Sequence, residues 1–248
     1  MLSLLCQALE GDGASLSGNI PAPEIIFTAV DETFHVTLYP AFGRWQQDFQ
    51  GYLYKRGGVL RESADAILTK IHDDTETPIL AIEFCSALPA GNQAWQRSGR
   101  AYSMAKAGIP YLFITELGGF ELSVGRKKKA ARLPNPAVPY SYYAYSYYSG
   151  NPIAVVYGLN PGADEIHKFR YREAICTHTH IALIKAIVQG ENIDEYLNEI
   201  HKKGMQFIVT ASEASRGNNL NAFQWKKINQ NRSFQYLNYV ICNQWSFL

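Results

Sequence analysis

From Asp65 to Thr115 the rhythm of apolar positions changes repeatedly, and each change marks an element. DAILTKI reads as a strand, HDDTET as a polar turn and PILAIEFC as a second, more apolar strand. SALPAGNQAWQRSGRAYSMAKAG then takes up a helical spacing, and IPYLFIT closes the run as a buried strand. Alternation along the second strand puts Ile79, Ala81, Glu83 and Cys85 on one face and Leu80, Ile82 and Phe84 on the other. In the helix, Ala94, Ser98, Ala101 and Ala105 form a small-residue stripe able to lie flat on a sheet. Gln93, Arg97 and Arg100 share a second face. Gly108 is placed to end the helix, with Pro110 just beyond it.

On either side the pattern is plainer. Residues 1–10 read as a short helix and GDGASLSGN as a loop. EIIFTAVDETF fits a strand or a short helix, HVTLYPAF a strand, and RWQQDFQGYLYKRGG a helix stopped by Gly57 and Gly58. FELSVG fits a further short strand, and IAVVYG a buried one. Between them, residues 121–150 read as an insertion with a basic run, then prolines, then a block of tyrosines. From Arg170 to Gln189 the spacing predicts one core helix, with His178 and His180 in structural roles. ENIDEYLNEIHKKG predicts an amphipathic helix ended by Gly204, MQFIVTAS a strand, and the tail a polar, aromatic lobe. The whole reads as one α/β domain over 1–248: a mixed central β-sheet flanked by helices, with its core at about 60–120.

Composition narrows the function less than pattern does. A hydrophobic fraction of 47% fits an ordered chain with a real core, and a net charge of +1 means that any nucleic-acid surface must arise by local clustering. Cys6, Cys85, Cys176 and Cys242 form no CxxC pair and read as reduced thiols of a cytoplasmic protein. No apolar run has the length of a membrane span, and no phosphate-cradling glycine loop is present.

The chemistry concentrates on two acids. Glu83 interrupts an apolar strand, where a carboxylate is costly without a metal ion or a hydrogen-bond donor. Asp65 lies on the neighbouring strand, within reach if HDDTET closes a hairpin. Two converging carboxylates suit a hard cation; pairing of Glu83 with Arg97 or Arg100 would satisfy the same pattern. Asp73 and Asp74 fit turn chemistry. Lys70 falls on the face opposite Asp65, and Cys85 fits a small side chain filling the sheet. For the basic run, Arg126, Lys127, Lys128, Lys129 and Arg132, followed by tyrosines, there are two readings. One is a nucleic-acid clamp, the other a solvated charge run beside an aromatic strand pair or dimer surface.

An acid, a long gap, Glu-x-x, a helix with Gln and basic residues and then a buried strand resembles the core of the PD-(D/E)XK nuclease superfamily, over about 50 residues. The resemblance implies a restriction-endonuclease-like core with added loops and a C-terminal lobe. It implies that Asp65 and Glu83 hold Mg²⁺ or Mn²⁺, that Arg97 or Arg100 binds the scissile phosphate, and that Gln93 orients water or backbone. The implied substrate is double-stranded DNA, the implied state a homodimer, and the implied activity that of a type II restriction endonuclease. In that family an early acid sometimes joins the metal; Glu24, Glu32, Asp48 and Glu62 are eligible here. Cys85 stands where the family has lysine. That departure supports an alternative: an inactive nuclease-fold DNA-binding or assembly module. A nuclease subunit of a larger defence or mobile-element complex is a further possibility.

Overall fold

The computed structural model describes residues 7–8, 12–17, 24–29, 32–37, 49–60, 62–85, 92–117, 137–159, 163 and 165–215. Strands β1 (Asp12–Ser17), β2 (Glu24–Ala29) and β3 (Glu32–Thr37) form an antiparallel three-stranded sheet in that order. β1 occupies a stretch whose Gly/Ser composition predicts a loop. Pairing of Leu16 with Ile25 and Ser17 with Glu24 overrides that local preference, and an irregularity between Asp12 and Ser15 accommodates the intervening residues.

Helix α1 (Phe49–Lys55) precedes the second sheet. That sheet is mixed and has the order β4 (Ala66–His72), β5 (Thr75–Cys85), β6 (Tyr111–Leu117), β7 (Ile153–Leu159). β4 runs antiparallel to β5, while β5, β6 and β7 are mutually parallel. The hairpin forms as the sequence predicts. Asp73 and Asp74 both take positive φ, 47° and 59°, the geometry of a two-residue turn that Asp tolerates better than most residues. Each parallel connection carries a helix, α2 (Asn92–Lys106) between β5 and β6, and α3 (Ala137–Ser149) between β6 and β7. Gly108, at φ 85°, ends α2, and the Ile109 N–H donates to the Met104 carbonyl at 3.0 Å.

After β7 come α4 (Glu165–Tyr171), a 3₁₀ turn (Arg172–Ala174), α5 (Thr179–Gln189) and α6 (Asp194–Ser215). Two expectations are corrected here. The single helix over 170–189 is broken, because the chain turns to let the Cys176 N–H donate to the Tyr157 carbonyl at 3.0 Å; His178 therefore caps α5 instead of lying within it. Nor does Gly204 end a helix before a strand: α6 runs straight through it. Phe207, Ile208 and Ala211 continue the apolar stripe at helical spacing, and a Cβ at 204 would overlap the Tyr143 hydroxyl. Glycine is there for close packing, not for termination.

The tyrosine block is also corrected. It forms α3 and not a strand pair. Tyr142 and Tyr143 are buried, and Tyr142 stacks on Phe113 at 5.0 Å; Tyr147 and Tyr148 stay half exposed. The basic run Arg126–Arg132, the tail beyond Ser215, Cys6 and Cys242 lie outside the described residues. Cys85 and Cys176 are buried thiols, and among the described residues no helix is long and apolar enough to cross a membrane.

Candidate active site on one face of the mixed sheet

Strand alternation decides which side chains share the site. Ala81, Glu83 and Cys85 of β5 point into the cluster that also holds Tyr111, Phe113, Val155 and Tyr157, whereas Leu80 and Ile82 point into the opposite one. Ala81 pairs with Tyr111, and Glu83 with Phe113, so the Tyr111 side chain falls beside Glu83 on the same face. α2 lays its small stripe inward, with Ser98, Ala101 and Ala105 buried. That orientation carries Arg97 and Arg100 over β5.

Glu83 is fully buried and its carboxylate is surrounded. Arg97 Nε donates to Oε1 at 2.6 Å and Arg100 Nη1 donates to the same oxygen at 3.2 Å. The Tyr111 hydroxyl donates to Oε2 at 3.3 Å. Arg97 also lies over the thiol next along the face, with Nη1 3.6 Å from Cys85 Sγ. Arg100 reaches outward as well, donating from Nε to Glu62 Oε2 at 2.7 Å. Glu62 is positioned because the preceding backbone is clasped to α2: the Leu60 N–H donates to Ser103 Oγ at 3.0 Å, and that hydroxyl donates to the Leu60 carbonyl at 3.1 Å. Asp65, just before β4, is exposed and anchored through Oδ2, which accepts from the Phe84 N–H at 2.9 Å.

The electrostatics follow from this packing. Burial, and after it the neighbouring Asp65, push the Glu83 carboxyl above its ordinary range against the pull of Arg97 and Arg100. Burial also pushes the Tyr111 phenol up, with Glu83 adding to it, so this hydroxyl stays protonated as a donor. Three carboxylates, Glu62, Asp65 and Glu83, lie beside the two guanidiniums of Arg97 and Arg100. Such a cluster can accept a cation. Asp65 and Glu83 would supply its protein ligands, since Mg²⁺ commonly takes only one or two carboxylates and keeps waters and substrate oxygens for the rest. Among the described residues no group of three or more His, Cys, Asp or Glu side chains gathers to hold a metal by protein alone.

The fold thus brings together Asp65, Glu83, Arg97 and Arg100. Gln93 lies in the first turn of α2, but its side chain is outside the described residues, as are the five basic residues of 126–132. Of the eligible early acids, Glu62 reaches the cluster through Arg100. Tyr111 does not stand out in the sequence pattern. Its strand register opposite Ala81, two residues before Glu83, is the signal that places it there. No family model matches this chain, and neither the curated proteins nor the solved structures yield a match.

Proposed function

We propose that this protein is a metal-dependent endodeoxyribonuclease with a restriction-endonuclease-like core, acting on double-stranded DNA as a homodimer in the manner of a type II restriction enzyme. The observation that carries the reading is the convergence of Asp65 and Glu83 across the β4–β5 hairpin, with Arg97 and Arg100 presented over them from the helix that follows. A divalent cation at the two carboxylates would supply Lewis acidity and charge neutralisation at the scissile phosphate. Asp65, held through one oxygen by the Phe84 N–H, keeps Oδ1 for a ligand. Arg97 and Arg100 are partly exposed and bring donors to phosphoryl oxygens, where their attraction grows as negative charge develops. Arg97 also brings positive charge beside Cys85, the position at which the family carries lysine.

A second reading has its own support. Glu83 already has two guanidiniums on one oxygen, an arrangement that also suits a non-catalytic DNA-binding or assembly module. Incubating supercoiled plasmid and linear phage DNA with Mg²⁺ or Mn²⁺ separates the two. Discrete fragments from wild type, lost in Asp65→Ala and Glu83→Ala, are the expected result. Binding without cutting under either metal gives the module reading precedence. Cutting that survives both substitutions rejects these acids as the site.

A further inference from the structure

We infer that the hollow between α3, the turn at 150–152 and α6 is a binding site for an uncharged heteroaromatic ring with an N–H or amino edge, the chemistry of a nucleobase. It is separate from the acids of the proposed nuclease site and does not depend on that reading. Asp65 accepts from the Phe84 N–H at the C-terminal end of β5, whereas the hollow opens at the N-terminal end of β7, where Asn151 and Pro152 lead into the strand. Its volume is about 320 Å³, at the small end of the range of ligand pockets, about 300–1,000 Å³.

The walls follow from how the chain turns. α3 ends at Ser149, and Gly150, at φ 71°, sends the chain back toward β7. The turn is fixed from within: the Ile153 N–H donates to Ser146 Oγ at 3.1 Å, and that hydroxyl donates to the Asn151 carbonyl at 3.0 Å. Across the hollow, Gly204 lets α6 lie close against Tyr143, so that His201, one turn earlier, meets the Tyr143 ring edge-on at 4.9 Å. His201 is also bonded to the Ile153 backbone, which fixes its plane. Two rings 76° apart therefore form the inner corner, Leu197 and Pro152 add apolar surface, and Tyr147, 48% exposed, stands at the rim.

Charge selects the class of ligand. Among the described residues that line the hollow, none is Asp, Glu, Lys or Arg. Burial pushes the His201 imidazole down to about 4, so it too is uncharged near neutral pH. A charged ligand would lose hydration there with no opposite charge to meet it. A neutral aromatic ring loses little and gains stacking on Tyr147 and edge contacts with Tyr143 and His201. One polar group at the mouth adds direction. Asn151 Nδ2 donates to the Ser149 carbonyl at 3.3 Å, which leaves Oδ1 as an acceptor for a ring N–H or amino group.

The test titrates the full chain by calorimetry with adenine, and with benzoate as a flat ring that carries charge. Adenine is expected to bind with a dissociation constant below about 1 mM, and benzoate at least about tenfold more weakly. Leu197→Trp fills the hollow from a half-buried position, and Tyr147→Ala removes its rim from an exposed one. Each is expected to weaken adenine by at least about tenfold, the scale of one lost base–aromatic stack. A short single-stranded oligoadenylate identifies the source of the ring. Tighter binding by the strand than by adenine assigns the site to an unpaired base of a nucleic acid; otherwise it takes a free base. Absence of adenine binding to wild type in the millimolar range overturns the inference without reliance on any variant. Benzoate binding as tightly as adenine, or adenine binding that neither variant alters, overturns it as well. Neither variant touches Asp65 or Glu83, so failure here leaves the nuclease reading as it stood.

Discussion

On one face of the mixed sheet, Leu80, Ile82, Leu112, Ala154 and Val156 meet Leu183 and Ile184 of α5 and Ile200 of α6. On the other, Glu83, Cys85, Tyr111, Phe113 and Tyr157 meet α2, α3 and the far half of α6. The same strands build both, with successive residues turned to opposite sides. The first face is aliphatic through most of its depth and asks only for apolar side chains of about the right volume. The second carries a buried carboxylate, two guanidiniums and stacked aromatic rings such as Tyr157 on Phe207, at 4.0 Å. Groups of that kind constrain geometry, since each donor and acceptor must find a partner at a particular angle. One face supplies stability and, on the proposed nuclease reading, the other positions chemistry, although Ile82 and Glu83 are adjacent in the chain.

The sharpest way to break this contrast is to substitute those two neighbours. Ile82→Ala is expected to cost about 2–5 kcal/mol in denaturant unfolding, while the folded fraction still cuts DNA at the wild-type rate. Glu83→Gln should do the reverse, lowering cleavage by at least about a hundredfold. A folded Ile82→Ala protein that cannot cut, or a Glu83→Gln protein that cuts normally, would show that the faces do not divide the work.

A pH titration refines the comparison within the polar face. Burial pushes His201, which packs edge-on against Tyr143, down to about 4. In the unfolded chain this imidazole takes up its proton first, so its contribution is intact above the ordinary histidine range and is lost as pH falls toward 4. The loss amounts to about 3 kcal/mol. Glu83 works in the opposite sense, since its carboxyl is pushed up; the folded state binds that proton more readily, and stability gains as pH falls through the raised pKa. Calorimetric melts from pH 7 to pH 4 should therefore show His201→Gln losing less stability than wild type, and Glu83→Gln losing more. Similar pH profiles for all three proteins would mean that neither group is buried in its drawn state.

The smallest expected effect concerns packing. Gly204→Ala exchanges a poor helix former for the best one, yet it should destabilise by about 1–3 kcal/mol because the new methyl meets the Tyr143 hydroxyl. Thermal melts of Gly204→Ala with Tyr143→Leu should recover part of the loss. A stabilised single variant would refute the close fit.

What could be seen in the sequence was whatever depended on local rhythm. The β4–β5 hairpin, the Asp73–Asp74 turn, the stop at Gly108 and the inward stripe of α2 all follow from spacing and backbone preference. So does the convergence of Asp65, Glu83, Arg97 and Arg100, because strand parity and helical periodicity fix those directions. The departures arise where a distant partner overrides local preference. β1 is held by β2 despite its glycine and serine residues, the chain leaves the helical path near Cys176 for the Tyr157 carbonyl, and Gly204 answers to a tyrosine some 60 residues earlier. Tyr111 is silent in the sequence for the same reason, since its value to Glu83 depends on the parallel register between β5 and β6.

α6 touches both sides of this division. It gives Ile200 to the aliphatic cluster and Phe207, Ile208 and Ala211 to the polar one, within a single 22-residue helix. A helix shared in this way ties the melting of the two layers together. Amide exchange in β6, β7 and the middle of α6 should therefore report one cooperative unit, opening only with the whole. The exposed rim at Glu62 and Asp65 stands outside that unit. Its ties to the layers are the Leu60–Ser103 clasp, the Arg100–Glu62 ion pair and the bond from the Phe84 N–H to Asp65.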